Sequence, residues 1–110
     1  MCLYVAYIEK GHALVISKKP YPDIFDIPDE VLSAVAVASK KVAVAVKKVT
    51  SAEGINILQN NCSAAGQEVM HYHVHVIPRF DNDGLKLNFK PGKLDDHDAK
   101  ELVSAIKAAL

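Results

Sequence analysis

Residues Met70 to Pro78 read Met-His-Tyr-His-Val-His-Val-Ile-Pro, which places three of the chain's five histidines at alternate positions. The residues between them, Tyr72 and Val74, and Val76 after them, are aromatic and β-branched, a composition that favours a strand. Successive side chains of a strand point to opposite faces. The spacing therefore predicts His71, His73 and His75 on one face and Tyr72, Val74 and Val76 on the other. One face suits a core; the other is a row of imidazoles roughly 6.5–7 Å apart. A lone histidine on a strand is ordinarily half-buried, with one partner for its ring N–H. Three in a row repel one another whenever two are charged, which argues that the cluster has a use. Pro78 has no N–H to give and is expected to end the ladder.

The rest of the chain supplies a frame for such a strand. Leu3–Ile8 and His12–Ser17 are short β-type runs separated by Glu9-Lys10-Gly11, a connection that favours an antiparallel hairpin. Prolines 20, 22 and 28 make the next stretch a loop, and Asp29 and Glu30 after Pro28 mark a helix start. Val31, Val35, Ala38, Val42, Ala45 and Val49 recur at steps of four and three, predicting one apolar helix stripe up to about Thr50. Gly54–Gln59 reads as a third strand, joined by the polar loop Asn60–Gly66 to the histidine strand, its expected antiparallel neighbour. Residues 79–93 form an irregular excursion, and Asp95 or Asp96 caps a last helix carrying Leu102, Val103, Ile106 and Leu110. The order ββαββα predicts a single α+β domain over residues 1–110, an antiparallel sheet with the helices packed on one face and the histidines on the other.

Thirteen basic and thirteen acidic residues cancel, so no strong field points to nucleic acid or to a membrane surface. Cys2 and Cys62, sixty positions apart, write neither a disulfide scaffold nor a thiolate zinc site. With no signal peptide and no long apolar run, the expected location is the cytoplasm. His97 falls in the first turn of the last helix, where a surface role is expected.

Three stretches together resemble the histidine triad (HIT) family of nucleotide hydrolases and transferases. Ala65–Arg79, "AGQEVMHYHVHVIPR", is similar to the family signature, in which alternating histidines follow a Gly-Gln pair. Gly11–Lys19, "GHALVISKK", resembles the family's second strand, and Asn56–Asn61, "NILQNN", its third strand and phosphate loop. The resemblance implies a HIT-like fold, a homodimer, and a purine nucleotide or nucleotide derivative as the bound molecule. It also implies that His73 attacks the α-phosphate to form a nucleotidyl-histidine that water then cleaves. His75 would donate to a phosphate or leaving-group oxygen, with His71 and His12 completing the cluster. Asn60 and Gln67 are the expected phosphate contacts, and Glu68 stands near the leaving group. An unperturbed imidazole, with a pKa of about 6.5, is mostly neutral at pH 7 and can attack without a separate base.

The chain departs from the family pattern in two places. The first strand opens close to Met1, and only Glu9 is placed to take the part of the acidic residue that holds the ribose. Pro20 occupies the position of a zinc-binding histidine found in some relatives, so neither metal nor other cofactor is expected. Two other readings stand beside the enzyme: a nucleotide- or partner-binding domain of weak activity, and a metal module in which His71, His73 and His12 hold one ion. His12 as a core histidine, and Asn60 and Asn61 as turn formers, are the plainer roles for those residues.

Overall fold

The computed structural model describes the backbone of residues 3–7, and residues 11–87 and 92–110 in full. Four strands form one antiparallel sheet in the order β1-β2-β4-β3: β1 is Leu3–Tyr7, β2 Ala13–Ser17, β3 Gly54–Leu58 and β4 His73–Arg79. Helix α1, Asp29–Thr50, lies across one face, and helix α2, Asp96–Ala109, ends the chain. Glu9 and the side chains of Cys2, Tyr4 and Tyr7 lie outside the described residues. No helix is long and apolar enough to cross a membrane, among the described residues.

β4 is the central strand, and its alternation organises the molecule. Val74 and Val76 turn inward to meet Val15 of β2 and Val35 of α1, with Ala13, Ile27 and Tyr72 completing the core. Val15, Val35 and Val76 are fully buried, and each contributes about 1.5–3 kcal/mol relative to an exposed side chain. The opposite face carries His73 and His75. Register places Ile16 beside His73 and Leu14 beside His75, so both aliphatic residues share the histidine face.

Four expectations are corrected by the fold. His71 precedes β4 and sits in a bend, so the strand proper carries two of the three histidines. Pro78 ends only the ladder to β2, which stops at Val76; the ladder to β3 runs on to Arg79. A proline is tolerated there because that stretch of β4 has a neighbour on one side only. The buried stripe of α1 follows Val31, Val35, Ala38, Ser39, Val42, Ala43 and Val46, whereas Ala45 and Val49 face outward. A strict seven-residue repeat drifts by about 20° per heptad on a straight helix, which rotates positions 45 and 49 off the sheet. Finally, among the described residues α1 alone packs extensively on the sheet: α2 has no buried residue there and makes no extended contact with another element.

Candidate active site

Two short contacts bring the histidines together. His12, just before β2, points its Nε2 at Nδ1 of His75, 2.9 Å away, and the His73 and His75 ring centroids are 4.9 Å apart. Gly11 makes the approach possible. Its backbone is left-handed (φ 85°), and a Cβ there would lie 2.6 Å from Cγ2 of Thr50 and 3.3 Å from Cγ of Pro78. Only glycine fits that turn and delivers His12 to the neighbouring strand.

Backbone carbonyls set the tautomers of the other two rings. Nδ1 of His73 is 2.7 Å from the carbonyl oxygen of His71, and Nε2 of His71 is 2.6 Å from that of Ser17. A carbonyl only accepts, so the proton of neutral His73 sits on Nδ1 and its Nε2 carries an unprotonated lone pair. His71 is held the opposite way, with its Nε2 donating. His75 has its pKa lowered, first by burial and then by repulsion from His73 and His12. A ring that resists charging in this way gives up a proton readily once it has one. The arrangement thus offers a fixed nucleophilic nitrogen beside a pair of rings able to pass a proton.

Beside the rings lies a cavity of about 240 Å³ lined by Leu14, Ile16, Val69, His71 and His73. The aliphatic lining was not among the residues singled out in the sequence, although His12, Leu14 and Ile16 alternate and so share a face with the histidines. The carbonyls of Ser17 and His71 had no such signal, because a main-chain acceptor leaves no mark in residue type.

The loop before β4 is a second part of the site. Cys62 and Gly66 both take left-handed backbone around a short 3₁₀ turn, Ser63–Ala65. Gln67, expected to touch phosphate, is instead buried, with its amide fully engaged. Its Oε1 accepts from the Cys62 N–H at 2.6 Å, and its Nε2 donates to the carbonyls of Pro22 (2.6 Å) and Val69 (3.1 Å). Its side chain braces the loop rather than facing open space. Asn60 is half-buried, with Nδ2 against Gly66, and its side chain makes no hydrogen bond among the described residues. Asn61 accepts from the Ile24 N–H and pairs with Gln59, tying this loop to residues 21–27. Glu68 is exposed beside the loop, and His97 pairs with Glu101 on α2, away from the other histidines. The described residues bring together no set of three His, Cys, Asp or Glu side chains placed to hold a metal ion.

With this geometry in view, comparison with known proteins decides the lineage. The sequence profile of the HIT domain matches residues 6–82. The chain belongs to the histidine triad family. Among HIT relatives, it is 35% identical to the adenylylsulfatase HINT3 of Arabidopsis thaliana over 100% of this chain and 59% of that protein. It is 36% identical to the adenosine 5'-monophosphoramidase HNT1 of Saccharomyces cerevisiae, over 91% of this chain and 64% of that protein. The crystal structure of a HIT family member from Bacillus subtilis matches with a TM-score of 0.85 and 29% identity, covering 100% of this chain and 89% of that one. The expected α+β, HIT-like fold with a long helix and a C-terminal helix is thereby met.

Proposed function

We propose that this HIT protein is a hydrolase of nucleotidyl phosphoramidates or dinucleoside polyphosphates, acting at the α-phosphate of a purine nucleotide. The observation that carries the reading is the 2.7 Å hydrogen bond from His73 to the His71 carbonyl, which leaves His73 Nε2 as an unprotonated nitrogen on the open face. In the first step Nε2 of His73 bonds to the α-phosphorus while the bond from phosphorus to the leaving nitrogen or oxygen breaks. His75, through the nitrogen not facing His12, gives that leaving atom its proton. In the second step water attacks the same phosphorus, its proton returns to His75, and the P–N bond to His73 breaks to release the nucleotide. Phosphoryl chemistry asks a protein mainly for positioning and charge stabilisation. The Asn60 side-chain amide supplies a donor for the phosphate oxygens, while the N–H groups of Ala65, Gly66 and Gln67 are spent on the carbonyls of Cys62 and Ser63 and, with the Gln67 side chain, hold the loop in shape. The cavity bounded by Leu14, Ile16 and Val69 takes the apolar part of the nucleoside, and Glu68 stands where the leaving group departs.

The named activities of the plant and yeast relatives, an adenylylsulfatase and a monophosphoramidase, support a substrate with AMP on one side of the scissile bond. Turnover of adenosine 5'-phosphoramidate and of adenylyl sulfate tests it. We expect release of AMP, reduced by roughly 10³-fold or more in His73→Ala. Binding of AMP without turnover of either compound, or equal rates in the variant, would overturn the hydrolase reading.

A further inference from the structure

The hydrogen bonds that fix the ring of His73 lead back to one buried serine. Ser17 ends β2 and has no exposed surface, although a hydroxyl is costly to bury unless it is hydrogen-bonded. Its Oγ donates to the carbonyl of Lys19 at 2.8 Å. Its own carbonyl accepts from Nε2 of His71 at 2.6 Å, and the His71 carbonyl accepts from Nδ1 of His73 at 2.7 Å. The hydroxyl thus stands at the head of a series that ends on the ring assigned to phosphorus.

Register explains why this falls to Ser17. β2 and β4 pair as far as Ile16 with His73, and one further rung would set Ser17 against Tyr72. The ladder opens there instead. Tyr72 gives its N–H to the carbonyl of Tyr21 (2.6 Å), Gln67 gives its amide to that of Pro22 (2.6 Å), and the Ser17 carbonyl is left for the His71 ring. Residues 17–22 therefore offer three carbonyls to the entrance of β4, and the direction in which this segment leaves the sheet decides where they point. The hydroxyl of Ser17, bonded to its own backbone two residues on, sets that direction by bending the chain at Lys18 and Lys19. Beyond the bend, Pro20 and Pro22 have no N–H with which to hold the segment down.

We propose that Ser17 is a positioning residue for transfer at His73. Its hydroxyl holds the bend that keeps its carbonyl on the His71 ring, and residue 71, so tied, keeps its own carbonyl on Nδ1 of His73 and leaves Nε2 free to attack. This inference rests on the reading of His73 as the nucleophile. The hydroxyl touches neither the substrate nor the reacting ring, so its loss is felt in the rate of transfer and little in binding.

Ser17→Ala removes one oxygen, and because Lys19 is exposed, water can take over its carbonyl; the variant is expected to keep the wild-type circular dichroism. With adenosine 5'-phosphoramidate its kcat is expected to fall about tenfold with KM within about twofold of wild type, and Ser17→Thr, which keeps the hydroxyl, to stay within about threefold in kcat. Histidine nitrogen NMR above the titration range reads the tautomers directly. In the wild-type protein the proton of His71 is expected on Nε2 and that of His73 on Nδ1, and in Ser17→Ala both rings should move toward a mixture of the two forms. A double-mutant cycle adds His71→Phe, which deletes the ring donor but keeps the carbonyl of residue 71. If Ser17 acts through that ring, Ser17→Ala costs nothing further in this background. A wild-type kcat in Ser17→Ala, full additivity with His71→Phe, or a His71 proton on Nδ1 in the wild-type chain would overturn the proposal while leaving the hydrolase reading in place. No turnover by the wild-type chain would overturn both.

Discussion

The two connections that flank β4 are secured by different chemistry. At its entrance, residues 59–71 are stitched down by a buried, uncharged amide: Gln67 satisfies two carbonyls and one N–H at once. At its exit, residues 80–85 are held by charge. Arg79 makes a two-point contact with Asp83 (2.7 and 3.0 Å) and also donates to Asn56 and to the carbonyl of Leu85. Asp83 in turn accepts from the N–H groups of Phe80 and Leu85, and the hydrogen bond from Arg79 is the main reason its carboxyl is held well below the usual range. The entrance positions the site, since it carries His71 and the loop proposed above to receive phosphate. A buried neutral brace keeps its geometry at any salt concentration, but each of its partners is stranded if it is removed. An ion pair near the surface is weaker and is screened by salt.

Exchange of the two braces separates these cases. Gln67→Leu leaves buried polar groups without partners, and we expect a loss of about 2–3 kcal/mol in chemical denaturation together with a fall in turnover. Asp83→Ala is expected to lower thermal stability by much less and to leave turnover of a nucleotide substrate near the wild-type level, with the difference shrinking in high salt. Equal losses from the two variants would mean that the entrance and exit are not distinct in the way described.

Acid separates them a second way. His75 has a folded-state pKa below its ordinary 6.5, so between those two values the unfolded chain binds more protons than the folded one. Stability therefore rises with pH across that window and is lost as pH falls below about 6.5. Asp83 is shifted in the same direction from 3.8, so its contribution is complete above that value and is lost only in stronger acid. A melting-temperature series from pH 8 to pH 4 should show a decline beginning near pH 6.5 that His75→Gln flattens and Asp83→Ala does not. A decline unaffected by His75→Gln would break the assignment.

Much of this was legible from residue order. Alternation in 71–76 and the β-type run 12–17 gave the strands and the two faces of the histidine strand, because period two has one structural meaning, whereas the meeting of His12 with the triad was implied by the resemblance to the family. The helix limits at Asp29 and Thr50 followed from Pro28 with its acidic first turn and from the lysines near the end. What escaped was set by partners that residue type does not encode. His71 left the strand because the Ser17 carbonyl captures its ring, and Gln67 became a brace because Pro22 and Val69 happen to present carbonyls around it. The apolar stripe of α2 announced that it is to be covered, but amphipathicity carries no address for the covering surface.

The central claim is that His73, oriented by the His71 carbonyl, bonds to phosphorus. Rapid quenching of the protein with adenosine 5'-phosphoramidate, followed by peptide mass mapping, measures it directly. The account predicts an adenylyl group on the peptide containing His73, on that residue by fragmentation, and none in His73→Ala. An adenylyl group on His71, His75 or His12 in the wild-type protein would contradict it, as would steady turnover by His73→Ala.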